Sequence, residues 1–547
     1  MTDFGFAMTD GTMYQGEFPI ANFSIEAGAP YYTPDSLQSM EAIGLTLNHL
    51  GQRWDTIYVL RSPATLVEQL AAQVPTCRVF NKGATSALEA YVIELARQNQ
   101  TKGLFFRHTG HYTLHDGNCV YVCGSEIIGD CGGHIVAVAP DISRIRLAYD
   151  PDMDVSSAVR GTVGIMLRHP EILLPAVGYV PLSYSRSLVM KECPSTIFPA
   201  LNVVGQQNLG KTFLVTNYCL LCDDDRTAKT LGHIASNSTD KGVMQQVTKY
   251  YDLMILADDL AKSSDPSEQK SRMQLFASTL RFVANDDERV TASPIAEYQS
   301  MRCMVGCAFT GELPFVTPSD ITRTIHLELT HPIRDGSSKD RIMVATAMHG
   351  FLSWFVQHRP ECINALKAYT DRASREIDAR LCTSYNLLTW STDCFFSYAK
   401  EIGVLSDTEY DAAMRTAVNS YQRLLQRQQI MANNSMPQGN LAWYILECYR
   451  GKSFLRVDKT KELLKNEDAC LVENGMLLVR LKTLTDRLNL LMPGAHFTPN
   501  SLGKQLRAEG IIASKAEGKS ETKRIGKSRK RCLEISLDTL KKLAVKY

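Results

Sequence analysis

The sequence predicts an α/β fold: a central domain of alternating strands and helices, a mixed α/β region before it, a helical region after it, and a small basic module at the end. Three observations carry this. The loop Gly205-Gln206-Gln207-Asn208-Leu209-Gly210-Lys211-Thr212 stands between a short apolar strand and an apolar helix. Further apolar runs follow it, and each ends in polar residues, the pattern of buried parallel strands. Beyond about residue 336 the strand-like runs stop and long helical periodicities replace them.

Length and composition bound the answer. At roughly 100–200 residues per domain, 547 residues make about three or four domains. Apolar residues at 44% and charged residues at 21% exclude wholesale disorder and a fibrous protein. Lys+Arg 59 against Asp+Glu 58 leave a formal charge of +1, which conceals any local asymmetry. No run approaches the roughly 18–20 apolar residues of a membrane span, so no membrane association is expected. The start, MTDFGFAMTDGTMYQG, has neither a basic segment nor an apolar one of the kind that directs secretion. The 15 cysteines are scattered through apolar stretches such as NYCLLC, the usage of a reduced compartment. The expectation is a cytoplasmic protein.

Four regions follow in order. Residues 1–160 mix β-like runs (TIYVLR, RIRLAYD) with a helical segment, SALEAYVIELARQ, whose apolar spacing suits one face. Residues 165–335 alternate strand and helix signals. Residues 336–450 read as helices, for instance RIMVATAMHGFLSWFVQ, and form a helical lid or linker. Residues 455–547 begin neutral and end basic.

The loop at 205–212 is a complete G-x-x-x-x-G-K-T/S. Gly205 and Gly210, with Asn208 between them, let backbone N–H groups curl around phosphate oxygens. Lys211 would reach the β- and γ-phosphates, and the Thr212 hydroxyl would ligate Mg²⁺. The strand Leu201–Val204 precedes the loop, and FLVTNYCLL opens a helix whose N-terminus faces the phosphates. ATP with Mg²⁺ is the expected cofactor pair.

A second motif follows. Asp252–Asp259 is an apolar run ending in two carboxylates. Asp258 would hold Mg²⁺ through water, and Asp259 would orient or activate the attacking water, where many such ATPases place Glu. The plainer alternative is a buried strand ending in a solvated acidic turn. A third run, Cys303–Phe309, ends in Thr310-Gly311-Glu312, and Thr310 is the candidate to sense the γ-phosphate; an ordinary strand-end turn is the alternative. Arg323, just before the strand Thr324–Leu329, is placed to stabilise transition-state charge on a neighbouring subunit's nucleotide. Its alternative is a surface ion pair, and the first role requires an oligomer.

The tail reads as a winged helix. Cys470–Val479 forms a hairpin around Asn474-Gly475, LKTLTDRLNLLM an amphipathic helix, and Thr498-Pro499 the cap and first position of a helix over SLGKQLRAEG. From Lys504 to the end there are thirteen Lys/Arg against five Asp/Glu. Lys504 and Arg507 lie on that helix, and Lys523, Arg524, Lys527, Arg529, Lys530 and Arg531 cluster in the wing. Such charges neutralise DNA phosphates and make binding salt-dependent; a solvated tail or a protein-docking module is the alternative. Two weaker patterns remain. Cys119, Cys123, Cys131 and His134 use zinc-ligand residue types at an unfamiliar spacing, and CVYVC reads rather as a core strand. His108, His111 and His115 read as a polar, turn-rich loop.

Together GQQNLGKT, SNSTDKGVMQQVTKYYDLMILADD, TGE and PSDITRTIHLEL resemble the MCM-like AAA+ helicases of bacterial mobile elements, the staphylococcal cassette chromosome type, which are related to phage and plasmid primase-helicases. HTGHYTLHDGNCVYVCGSEIIG is similar to that family's small β-rich N-terminal region, although Gly110-His111-Tyr112 departs from its Gly-Trp-His-like turn. The resemblance spans residues 50–547. It implies an AAA+ ATPase core in a homo-oligomeric ring, a hexamer, coupling ATP hydrolysis to DNA unwinding during replication of the element, with a primase or other replication protein as partner. Asp258-Asp259 departs from the Asp-Glu of many AAA+ members, while related viral-type helicases carry Asp-Asp. A polar insertion, Lys262 to Lys270, is a candidate DNA-contacting loop. An ATP-controlled DNA-binding switch or replication initiator without processive unwinding is the alternative function, and an anti-phage defence ATPase a third.

Overall fold

The computed structural model describes residues 5–9, 11–62, 64–194, 196–225, 229–235, 240–260, 266–285, 289–291, 299–315, 317–333, 336–372, 377–434, 441–450, 454–466, 468–491, 497–512, 522–524 and 531–544. Two compact units divide the chain: one of residues 1–262, 278–313 and 325–423, the other of residues 263–277, 314–324 and 424–547.

The first unit is built on a five-stranded sheet. Its spatial order is His233–Ala235, Met254–Leu260, Gly306–Gly311, Ala200–Gly205, Thr324–Leu329. The first four strands pair in parallel, with Leu201 opposite Ala308 and Leu256 opposite Ala308 on the other side. Parallel strands covered on both faces need continuous apolar runs, which NVV, MIL and CAF supply. The strand that comes fourth in the chain lies between the first and the third. Its polar end, Thr310, is therefore set directly between the loop that follows Gly205 and the carboxylate of Asp258.

Helices cover this sheet. Leu173–Ser183 is buried along its whole length, and Ala379–Glu401 and Ser338–Gln357 pack nearby with Leu387, Leu388, Phe395, Phe396 and Phe351 out of water. Burial on all sides explains why the first of these has almost no polar face. Ahead of the sheet, residues 24–138 form a second five-stranded sheet, in the order Val136–Val138, Gly103–Phe106, Ser24–Tyr32, Met40–His49, Gln52–Val59. Leu88, Val92 and Ala96 of helix Thr85–Arg97 bury against its core, as their spacing predicts.

A three-stranded meander, Gly110–Thr113, Cys119–Cys123 and Glu126–Gly129, completes the N-terminal part. The expected polar loop at 108–115 is therefore a strand in part. Gly110–Thr113 pairs with Cys119–Cys123, and the ring of His111 packs against Tyr121 (4.9 Å) and Phe355 (5.4 Å). A neutral histidine can pack edge-on among aromatic rings, which its usual place on polar surfaces conceals in a sequence.

In the second unit the strands Leu455–Val457, Ala469–Glu473, Met476–Val479, Arg531–Ser536 and Thr522–Arg524 form one sheet in that order. Asn474 and Gly475 both take positive φ, 51° and 76°, so the hairpin closes through the left-handed two-residue turn that Asn-Gly favours. Thr498 caps helix Pro499–Ala508 by accepting from the Ser501 N–H at 3.1 Å. Leu484, Leu488, Leu502, Leu506, Ile511 and Ile512 share one core.

Candidate active site

The loop after strand Ala200–Gly205 turns sharply into helix Lys211–Tyr218. Asn208 (φ 64°) and Gly210 (φ 85°) are left-handed. Such reversals aim successive N–H groups into one concavity, the geometry that cradles anions. At Gly210 a Cβ would also lie 2.5 Å from the Ile333 carbonyl oxygen, so only glycine fits. The Lys211 ammonium lies back across the loop and donates to the carbonyls of Gly205 (2.9 Å) and Gln206 (2.8 Å).

Thr212, in the first turn of that helix, donates through Oγ1 to Asp258 Oδ1 at 2.8 Å. Asp258 comes from strand Met254–Leu260, and the Thr310 hydroxyl, at the end of the adjacent strand, donates to the same oxygen. His233 Nε2 meets the other oxygen, Oδ2, at 3.0 Å. Three residues from three other elements thus converge on the Asp258 carboxylate, at the ends of parallel strands where open α/β sheets place their ligands. Thr310 is buried, whereas His233 is half exposed.

This donor set suits a hard divalent cation. A hydroxyl and a carboxylate oxygen already 2.8 Å apart offer oxygen ligands only, the preference of Mg²⁺, which keeps most of its waters. Thr212 and Asp258 are the residues that would hold it. The adjacent ammonium and turned N–H groups supply the positive field that a polyphosphate needs.

The structure thus brings together Gly205, Asn208, Gly210, Lys211, Thr212, Asp258 and Thr310. Asp259 follows on the same strand, and its side chain lies outside the described residues. Arg323 belongs to the second unit, where it is nearly buried and donates through Nη1 to the carbonyl (2.6 Å) and Oγ (2.5 Å) of Ser319. Lys504 is exposed on helix Pro499–Ala508, and Arg507 is partly buried there. Lys523 and Arg524 lie on one strand and Arg531 opens its partner, Arg524 opposite Arg531. Lys527, Arg529 and Lys530 lie outside the described residues, as do residues 262–265 of the polar insertion.

His233 escaped sequence reasoning. It stands in a three-residue strand, within LGHIA, too short to show alternation, and only pairing beside Leu256 brings its ring within reach of Asp258. Of the weaker patterns, Cys123 is buried beside Cys222 with sulfurs 3.9 Å apart, and Cys119 accepts from Arg359 at 2.9 Å. Among the described residues, no group of three or more His, Cys, Asp or Glu is arranged to hold a metal ion.

A second node lies at the opposite end of the Asp258 strand. Asp252 is fully buried with φ 51° and accepts from the Ser187 N–H (2.6 Å), the Ser187 hydroxyl (2.5 Å) and the His111 N–H (3.0 Å). Burial pushes its carboxyl up to about 6, against the pull of those donors and of Arg186. Gly110 passes so close that a Cβ there would run into Asp252 Oδ2. The Tyr121 hydroxyl donates to the Asp252 carbonyl at 2.7 Å. The N-terminal meander is thereby pinned to the root of the strand that carries Asp258.

No protein-family model matches the chain, and no curated protein matches it in sequence. Solved structures do. One, described as the SCCmec type IV Cch active helicase, is 12% identical with a TM-score of 0.52, covering 98% of this chain and 98% of that one. A ligand-bound JCV helicase is 9% identical over 52% of this chain and 66% of that one (TM-score 0.23). The NrS-1 C-terminal region is 8% identical over 94% and 96% (TM-score 0.27). The first shares its fold with this protein over nearly the whole of both chains. Among the described residues no helix is long and apolar enough to cross a membrane.

Proposed function

We propose that this protein is an ATP-dependent DNA helicase: an oligomeric AAA+ motor, with a P-loop ATPase core and a C-terminal winged helix, that serves replication of a mobile genetic element or phage. The observation that carries the reading is the meeting of Thr212, Thr310 and Asp258 beside the Lys211 loop. Fold likeness to a protein described as an active helicase, over 98% of both chains, supports the choice among nucleotide-driven machines. Lys211 exchanges its two loop carbonyls for phosphate oxygens when ATP enters. Thr212 and Asp258 would hold Mg²⁺, which would supply charge neutralisation to the phosphates. Thr310 holds Asp258 in register with Thr212, Asp259 orients the attacking water, and Arg323 acts on the nucleotide of a neighbouring subunit. The basic residues of the tail, Lys504, Arg507, Lys523, Arg524, Lys527, Arg529, Lys530 and Arg531, neutralise DNA phosphates.

The test is ATP turnover by the full chain with and without single-stranded DNA, beside Asp259→Ala, followed by unwinding of a forked duplex beside Lys211→Ala. DNA-stimulated turnover and unwinding, each abolished by its substitution, are expected. Binding of ATP with slow turnover indifferent to DNA would overturn the motor and leave a nucleotide-controlled DNA-binding switch.

A further inference from the structure

The first unit contains a cavity of about 470 Å³ at the root of the Asp258 strand, away from the Lys211 loop. Tyr251, one of its walls, is seven residues before Asp258 along a largely extended path, so the two regions lie roughly 20 Å apart at about 3.3 Å per residue. The volume falls within the roughly 300–1,000 Å³ of small-molecule sites and is far larger than one inorganic anion requires.

Its electrostatics are uneven. Arg61, Arg107, Lys191 and Arg359 line it, against Glu41 and Asp35. Glu41 is shared between Arg107 (3.2 Å) and Arg61 (3.7 Å), so one carboxylate serves two guanidinium groups. Arg359 is only 7% exposed, and its hydrogen bonds run to the Cys119 sulfur (2.9 Å) and the Tyr112 carbonyl (3.5 Å). Among the described residues it has no carboxylate partner. A buried guanidinium with neutral acceptors alone is a costly arrangement that a bound anion relieves, and its planar fork fits phosphate. Two of its lining rings, His108 and Tyr251, are stacked on each other 4.2 Å apart and 3° from parallel, an aromatic pair on which a further planar ring can stack.

We propose that this cavity is a second ligand site that takes a nucleotide-type anion, its phosphate held by Arg359, Arg107 and Lys191 and its planar ring against the His108–Tyr251 wall. Either a free mononucleotide or one nucleotide unit of a single strand presents that chemistry. The site does not depend on the function proposed above. Its wall does connect to the other region: the Tyr251 carbonyl accepts from the Thr109 hydroxyl at 2.6 Å, and the next residue is Asp252. An occupant is therefore placed to influence the strand that carries Asp258.

The experiment uses the full chain carrying Lys211→Ala, titrated calorimetrically with AMP and, separately, with a deoxyadenylate tetranucleotide. The comparison protein adds Arg107→Gln and Lys191→Gln; both side chains are exposed, so the fold survives, and a thermal melt verifies it. One AMP or one tetranucleotide per chain is expected, weakened at least tenfold by the pair and again by Arg359→Gln. The probe that binds identifies the source. Absence of binding by both probes, or binding that the Arg107/Lys191 pair leaves unchanged, overturns the proposal. ATP turnover by the unsubstituted chain, measured in parallel, reports on the Lys211 loop separately.

Discussion

Thr212 and Asp258 stand 46 residues apart in the chain and 2.8 Å apart in space, joined hydroxyl to carboxylate. The helix after the loop and the strand that carries Asp258 are thus tied together. Thr212→Ser keeps the hydroxyl and is expected to retain most MgATP turnover. Thr212→Val and Asp258→Asn are expected to lower it by about two orders of magnitude or more, the scale of removing one preorganised group at a reacting phosphate. Steady-state turnover across a Mg²⁺ titration checks this.

His233 gives a finer prediction. Its Nε2 is the partner of Asp258 Oδ2, at 3.0 Å. His233→Gln can replace that hydrogen bond and is expected to change turnover by less than about threefold, whereas His233→Ala leaves the oxygen to water and is expected to cost about tenfold, the scale of a group that positions rather than reacts. Equal effects from the two substitutions would contradict a positioning role.

Gly210→Ala tests the loop itself. The left-handed backbone and the Ile333 carbonyl, 2.5 Å from the added carbon, allow no relaxed conformation. A loss of stability of about 1–3 kcal/mol, together with loss of ATP binding, is expected. Urea unfolding and nucleotide titration read the two separately.

Stability should depend on pH through buried histidines. His111 is pushed down to about 3 by burial and by Arg359, His108 to about 4 by burial and Arg107 against the pull of Asp141, and His326 to about 4 by burial. Unfolded, each takes up a proton near pH 6.5, so between about pH 4 and 6.5 the unfolded chain holds more protons and stability rises with pH, by about 1.4 kcal/mol per pH unit for each group. Asp252 acts in the opposite direction. Its carboxyl, raised to about 6, makes the folded chain hold the extra proton above about pH 4, so its contribution falls as pH rises to 6. Three groups against one leave a net gain. Melting temperature is expected to climb from about pH 4.5 to 6.5, and more steeply in Asp252→Asn; a flat profile in both proteins would falsify this.

Replacing Lys527, Arg529 and Lys530 with Ala should weaken DNA binding at moderate salt and reduce the slope of log affinity against log salt by about one for each phosphate no longer neutralised. An unchanged slope would remove these residues from the interface.

How much of the fold and the site is legible in the sequence depends on the kind of signal. The loop and the strand ends at Asp258 and Thr310 announce themselves, because glycines at fixed spacing and apolar runs ending in carboxylates leave marks in the chain itself. The Asn474-Gly475 hairpin and the Thr498 cap are legible for the same reason: each is a local rule. His233 and Asp252 are not. Their roles arise from pairing across the sheet and from packing against residues 111 and 187, and no local pattern records that. The histidines at 108 and 111 mislead because polarity suggests surface, while neutral rings pack among Tyr121, Phe355 and Tyr251.

The hydroxyl of Tyr121 closes on the carbonyl of Asp252 across 131 residues of chain. At ribosomal rates of roughly 5–20 residues per second, the meander waits about 7–26 s for the strand root that it packs against. During that interval Val120, Tyr121 and Val122, all buried in the finished protein, have no such cover. The stretch from 110 to 129 therefore carries apolar surface that a growing chain must keep from aggregating.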